Sequence, residues 1–288
     1  MRRFRTVALA AALTLTAVGA AACGTGAAEP GADDDAASPA PPTPTAPIDG
    51  PHAAEYLPGL AATVVLPEGE PQAVVVLVPG GSWETADPTG FLPLGEDLAR
   101  AGYATVTITY RTDSTGDHFP RPLADVTCAA GFAAQEVPGV PVVVVGHSAG
   151  ANLTVLAGLR PPEADDECPH PLVAVDGIVG LAGPYDVEGS RIGLNLFGVG
   201  LMEDPDLWAD GDPFTWVDER PELPVLLVHG EADQVPITWT DRLAEALTTA
   251  GHDVQVERVP GAEHNDVLRP DVLLAPLTDW LATVVLAP

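Results

Sequence analysis

Pro141-Val142-Val143-Val144-Val145-Gly146-His147-Ser148-Ala149-Gly150-Ala151-Asn152-Leu153-Thr154-Val155-Leu156-Ala157 is the stretch on which the reading of this chain turns. Its first half is a short β-branched run opened by a proline, the pattern of a strand covered on both faces. Its second half is a plausible helix, and the chain passes from one to the other with almost no connecting loop. Such a passage requires a sharp turn. Gly146 and Gly150 provide it, because a side chain at either position would collide with the neighbouring strand or helix. Ser148 lies between them, so the reading predicts a nucleophile elbow that holds the serine hydroxyl above the carboxyl end of the strand. The pentapeptide alone also fits an ordinary strand-to-helix turn in a chain rich in Gly and Ala, so its surroundings decide.

Outward from this stretch, apolar β-branched runs recur with helical patterns between them. The candidate strands are 61–66, 73–78, 104–109, 142–145, 177–181, 225–228 and 254–259, and the candidate helices 92–101, 120–135, 151–159, 238–250 and 267–285. This alternation predicts an α/β class fold, a mainly parallel doubly wound sheet with helices on both faces. Sites in such sheets form at the carboxyl ends of the strands. Residues 184–223 break the rhythm: they hold Phe197, Leu201, Met202, Leu207, Trp208, Phe214 and Trp216 without a clear strand. They read as a small cap insertion whose apolar side chains either line an acyl or alcohol pocket or simply pack the cap onto the domain.

The amino end is set aside from the fold. Arg2, Arg3 and Arg5 precede an Ala/Leu/Val segment, which predicts a signal peptide over residues 1–22. Ala20-Ala21-Ala22-Cys23-Gly24 is similar to a bacterial lipobox, so Cys23 is the expected lipidation site; a plain secretory cleavage nearby is the alternative. The expected location is the outer face of a bacterial cell membrane, or the medium if Cys23 is not acylated. From residue 23 to 51 the composition is Ala, Pro, Thr, Asp and Gly, too poor in large apolar side chains to offset its ordering entropy; it reads as a disordered tether. One folded domain is expected over 52–288. In an exported chain the two remaining cysteines, Cys128 and Cys168, suggest a disulfide, with two free buried thiols as the alternative.

The formal charge is −29, and removing the three arginines of the leader takes it to −32. Such a chain is not suited to nucleic acid or to adsorption on anionic lipid, so membrane contact is expected through a lipid anchor alone. The seven histidines are scattered without the spacings of metal ligands, and no metal or other cofactor is expected.

A serine hydroxyl at neutral pH requires a base within hydrogen-bond reach and a third group that orients the base. Two later strand ends carry candidates. Asp233 follows the run ending in His229-Gly230, and His264 lies in Pro260-Gly261-Ala262-Glu263-His264-Asn265-Asp266 beyond the last strand. Glu231 competes with Asp233 as the acid; Glu263 reads as solvated, His118 and His252 as surface residues, His229 as packed beneath its loop and His147 as structural. The oxyanion of an acyl intermediate requires backbone N–H donors, each worth about 2.7–4 kcal/mol. Pro79-Gly80-Gly81-Ser82-Trp83 follows a strand and offers Gly81 or Ser82, together with Ala149 after the nucleophile.

With these residues in hand, the chain resembles the α/β-hydrolase superfamily, and within it carboxylesterases of the hormone-sensitive-lipase, feruloyl esterase-like or kynurenine formamidase-like type. The order Ser148, Asp233, His264 is the order of that superfamily. Gly80-Gly81-Ser82-Trp83 looks like its H-G-G-x-W loop, and Tyr110-Arg111 with His118-Phe119-Pro120 and Asp125-Val126 looks like its Y-R-L-A-P-E-H-x-F-P segment. Gly146 to Leu153 looks like its G-x-S-A-G-x-N-L elbow. Pro79 stands where the family usually has His, and Thr112 to Asp117 replace L-A-P-E. The resemblance implies a cofactor-independent serine esterase acting on a small-molecule ester. The same residues would also serve an amide hydrolase or acyltransferase, and a non-catalytic surface-binding lipoprotein is the reading from outside enzymology.

Overall fold

The computed structural model describes residues 48–163 and 166–286; the expected leader, Cys23 and the tether up to residue 47 lie outside the described residues. Strands β1 (Ile48–Leu57), β2 (Leu60–Pro67), β3 (Val74–Val78), β4 (Ala104–Ile108), β5 (Val142–His147), β6 (Gly177–Leu181), β7 (Val225–Gly230) and β8 (Val254–Val259) form one sheet in the order β1-β2-β4-β3-β5-β6-β7-β8. β1 and β2 pair antiparallel, as do β2 and β4; the strands from β4 to β8 across the rest of the sheet run parallel. The helices are α1 (Leu92–Arg100), α2 (Arg121–Glu136), α3 (Ala149–Leu159), α4 (Gly193–Phe197), α5 (Pro205–Asp210), α6 (Ile237–Ala250) and α7 (Pro270–Trp280).

The valine runs are continuous because both faces of the central strands are covered, and the two-residue period of a strand divides them between two cores. Val74, Val76, Val142 and Val144 meet Val126 and Ala129 of α2 and Leu153 and Leu156 of α3. Val75, Leu77, Val143 and Val145 meet Leu94 and Leu98 of α1 and Leu273 and Leu277 of α7. From β3 the chain moves outward to β4 and returns to β5 on the other side of β3. Loops leaving β3 and β5 therefore diverge and open a crevice at the carboxyl ends of those strands.

Two segments differ from expectation. The sheet has an eighth strand, β1, which begins at Ile48 inside the stretch read as tether. It contains Gly50 and Pro51 and shifts register between Asp49 and His52, features tolerated on a sheet edge, and so shows no apolar alternation. The expected helix over 267–285 is broken as well: a 3₁₀ turn at Asp266–Leu268 precedes α7, and a π turn at Leu281–Val285 follows it. Pro270 opens α7, and a residue before proline is driven out of the helical region; Arg269 is extended, with ψ 134°.

The 184–223 insertion holds α4, α5 and a 3₁₀ turn at Pro213–Trp216. Its aromatic side chains pack inward. Phe197 stacks on Trp208 at 4.3 Å, Phe119 just before α2 lies 5.8 Å from Phe197, and the Arg160 guanidinium sits 4.6 Å over Trp216. His252, expected at the surface, is buried: its ring nitrogens face the carbonyls of Val217 and Leu223 at 2.9 and 3.1 Å and tie the end of the insertion to the turn after α6.

Cys128 of α2 and Cys168 are joined in a disulfide with Cα atoms 5.7 Å apart, which selects between the two expectations for these thiols. The bond closes a loop over 40 residues, for which chain entropy predicts about 4 kcal/mol of stabilisation. Guanidinium unfolding with and without dithiothreitol is expected to show a loss of about 2–4 kcal/mol on reduction. An unchanged midpoint with both thiols alkylated would contradict it.

Candidate active site

Ser148 follows β5 in a strained conformation, φ 51° and ψ −121°, that presents its side chain at the turn. Two glycines make the turn possible. A Cβ on Gly146 would run into the Gly150 carbonyl and the Thr154 hydroxyl, and one on Gly150 into the carbonyls of Val78 and Pro79. The Ser148 N–H is anchored to the Leu181 carbonyl at 2.8 Å. Strain of this kind costs about 1–3 kcal/mol and persists only where surrounding structure fixes it, as β6 does here.

His264 Nε2 lies 2.9 Å from Ser148 Oγ, and its Nδ1 lies 2.8 and 3.0 Å from the two Asp233 carboxylate oxygens. A carboxylate only accepts, so Nδ1 carries the proton and Nε2 is left to accept from the serine hydroxyl. The side chain of Asp233 is fully buried. Burial alone would raise its carboxyl, but hydrogen bonds from His264 and from the Val235 N–H outweigh that and hold it below the usual range. Glu231 is exposed at the surface and is not the acid that meets His264; Glu263 is exposed too. His229 lies beneath the acid loop, donating from Nε2 to the Val235 carbonyl at 3.0 Å and accepting from Thr240 at 2.7 Å. Burial pushes its imidazole down, so it stays neutral beside Asp233.

The loop after β3 runs through Gly81, Ser82 and Trp83 at φ 137°, 58° and 56°. Among the described residues the N–H groups of Gly81 and Ser82 have no acceptor, and Ala149 opens α3, where the first N–H groups have no partner within the helix. The supports of this loop are its own. Tyr110 donates its hydroxyl to the Pro79 carbonyl at 2.9 Å, and Asn195 of α4 donates to the Ser82 carbonyl at 3.0 Å. The divergent segment at 112–117 joins it as well: Thr112 bonds the Glu84 carbonyl at 2.9 Å and the Asp113 N–H the Trp83 carbonyl at 3.0 Å. The loop with Pro79 thus has anchors that do not depend on a histidine at that position.

Ser148, His264, Gly81 and Ser82 line a cleft of about 600 Å³. Its apolar wall is Phe91, Pro93, Leu268 and Pro270; its polar groups include Asp87, Thr89, Gln234, Asn265 and Arg269. No residue of the 184–223 insertion lines it, which decides between the two readings of those aromatics: they pack the insertion on the domain, and Asn195 is its link to the site. Among the described residues no group of three or more His, Cys, Asp and Glu is arranged to hold a metal ion.

His147 lines the cleft as well. His147, expected to be merely structural, donates from Nε2 to the backbone carbonyl of His264 at 3.0 Å, and the two rings lie 4.7 Å apart. Burial, with the charge of His264 acting in the same sense, pushes its imidazole down to about 4. Nothing local marks it, because position 147 reads equally well as a core residue of β5.

A family model described as BD-FAE matches residues 64–247, a span that includes Ser148 and Asp233 and stops before His264. A monoacylglycerol lipase of Mycolicibacterium smegmatis is 24% identical, over 75% of this chain and 90% of that protein. Among solved structures, a propionate-bound esterase of the Planctomycetes species Thermogutta terrifontis aligns with a TM-score of 0.67 at 22% identity, covering 86% of this chain and 98% of its own. A truncated carbohydrate esterase from gut microbiota aligns with a TM-score of 0.62 at 20% identity, covering 78% and 91%. Both share the fold. With more than half of its length under the family model, the chain belongs to the BD-FAE family of α/β-hydrolase esterases.

Proposed function

We propose that this chain hydrolyses small carboxylic esters by a two-step mechanism in which Ser148 is the nucleophile, His264 the general base and acid, and Asp233 the group that orients it. The observation that carries the reading is the continuous hydrogen-bonded path from Ser148 Oγ through His264 to Asp233, at 2.9 and 2.8 Å, opening on a cleft lined by Gly81 and Ser82, whose N–H groups have no acceptor among the described residues. As Oγ bonds to the acyl carbon, its proton passes to His264 Nε2, and Asp233 stabilises the imidazolium. The carbonyl oxygen takes up negative charge against the amides of Gly81 or Ser82 and of Ala149. Collapse of this intermediate breaks the bond to the alcohol oxygen, which receives the proton from Nε2. Water then enters, gives a proton to His264, attacks the acyl-enzyme and releases the acid as the proton returns to Ser148.

The cleft is open and only partly apolar, which suits a short acyl group better than a long chain. A nitrophenyl ester series from acetyl to dodecanoyl, assayed on the domain from residue 48 onward with the disulfide intact, is expected to show turnover that falls with chain length. Stoichiometric labelling of Ser148 by a fluorophosphonate is expected alongside. A folded protein that neither turns over any of these esters nor takes up the probe would overturn the proposal.

A further inference from the structure

We infer that His147 is a positioning residue for His264: it holds the base loop against the elbow through the carbonyl of His264 itself and through a tilted contact between the two rings. The inference rests on the reading of Ser148, His264 and Asp233 given above. His147 is the last residue of β5, so its backbone is as fixed as the sheet, and the residue is only 5% exposed. A carbonyl oxygen only accepts, so Nε2 is the protonated nitrogen in the 3.0 Å bond to His264. Nδ1 of the neutral ring then faces the loop after β3; a Cβ on Gly80 would come within 3.1 Å of it and 2.8 Å of Ser148 Cβ. The imidazole therefore fills the space between the loop that carries the oxyanion donors and the loop that carries the base. It lies where the elbow, the loop after β3 and the loop after β8 come together.

The need for such a strut follows from how His264 is otherwise held. Its ring is fixed by Asp233 at Nδ1, but that contact sets the rotation of the ring; the acid loop holds the main chain two residues earlier, where the Ala232 N–H donates to the Ala262 carbonyl at 3.0 Å, and does not reach residue 264 itself. A bond to the carbonyl of residue 264 fixes the position from which the ring projects. Displacement of about 1 Å between base and nucleophile is enough to lower a rate on the order of a hundredfold. The ring contact at 4.7 Å has a second consequence. During turnover His264 becomes an imidazolium, and a charged neighbour at that distance would oppose it. Burial keeps His147 neutral, so the strut is compatible with the charged state of the base.

The two contacts are separable. His147→Phe keeps a ring against His264 and removes the donor; His147→Gln removes the ring and returns an N–H near the position of Nε2. In kinetics on a nitrophenyl ester, His147→Phe is expected to lower kcat about tenfold, the scale of one hydrogen bond, with KM within about twofold. His147→Gln is expected to recover most of that loss. A purely structural role predicts otherwise: both variants would shift the thermal midpoint without this split between kcat and KM. The inference is overturned by a kcat for His147→Phe within about twofold of the parent, or by a Gln variant no better than Phe. Should His147→Phe not fold, His147→Leu against His147→Gln makes the same comparison. Ser148→Ala in the same series separates the two levels. If it remains active, the nucleophile reading fails; if it is inactive while His147→Phe is not impaired, only the inference about His147 fails.

Discussion

Ser148→Ala is expected to lower kcat for a nitrophenyl ester on the order of 10⁶-fold, the scale seen when a serine nucleophile of a Ser-His-Asp site is removed. The size follows from what remains. Without Oγ no acyl-enzyme forms, and His264 can only assist a water that must find its own place above the elbow. On the proposed mechanism the amides of Gly81 or Ser82 and of Ala149 would remain to attract a developing oxyanion, so the residual rate should exceed that of buffer by about 10³–10⁴. Folding should be retained. Alanine meets the φ of 51° with the same strain as serine, the anchoring bond from the residue-148 N–H to Leu181 is main chain, and the loss is one hydrogen bond to His264, about 1 kcal/mol. Steady-state kinetics on a variant with an unchanged circular dichroism spectrum is the measurement. Residual activity above about one per cent that co-purifies with the folded variant would remove Ser148 from the role of nucleophile.

What the sequence made legible, and what it did not, divides along a physical line. The elbow was legible because its requirements are local: a buried strand, a helix, and glycines where Gly146 and Gly150 approach other backbone too closely for a Cβ. The positions of Asp233 and His264 were legible because a parallel sheet brings the loops after β7 and β8 to the same edge as the loop after β5, whatever the details of the helices. Contacts set by tertiary packing were not. β1 is held by pairing with β2 and by Tyr56, whose hydroxyl bonds the Thr109 carbonyl at 2.6 Å, and neither leaves an alternating pattern at its amino end. His252 lies in a polar stretch, yet the turn after α6 folds it under the insertion.

The insertion teaches the same lesson from the other direction. Phe197, Trp208, Phe214 and Trp216 carry enough apolar area for a substrate pocket, and composition cannot say which way they face. In the structure Phe197 and Trp208 stack on each other and Arg160 covers Trp216, while the wall beside Ser148 comes from Phe91 and Leu268. The apolar lining of the cleft therefore comes from the segments after β3 and β8. The insertion acts through Asn195, whose bond to the Ser82 carbonyl fixes the peptide next to a proposed oxyanion donor. His147 belongs to the same class of contact: a side chain whose partner is a backbone atom far along the chain leaves no trace in spacing.

Asp233→Asn is expected to lower kcat on the order of 10⁴-fold while leaving the fold intact, an effect that comes from the tautomer of the base. Asp233 uses Oδ1 to accept the Val235 N–H at 2.8 Å, a bond an asparagine carbonyl oxygen keeps. Its NH₂ group then takes the place of Oδ2, 2.8 Å from His264 Nδ1 and 3.5 Å from His229 Nε2. Two donors cannot face each other, so His264 must accept at Nδ1 and carry its proton on Nε2, where it cannot take the proton of Ser148. The imidazolium formed during turnover also loses its buried counter-charge. The same substitution changes acid stability in a defined sense. The Asp233 carboxyl is held below its usual range in the folded state, so its contribution is present above the unfolded pKa of about 3.9 and is lost as pH falls through the lower folded value. In Asp233→Asn that part of the acid dependence should vanish, flattening the unfolding free energy below about pH 4. Kinetics at neutral pH together with urea unfolding between pH 3 and 6 test both parts. A variant within about tenfold of the parent in kcat would mean that His264 is oriented by something other than this carboxylate.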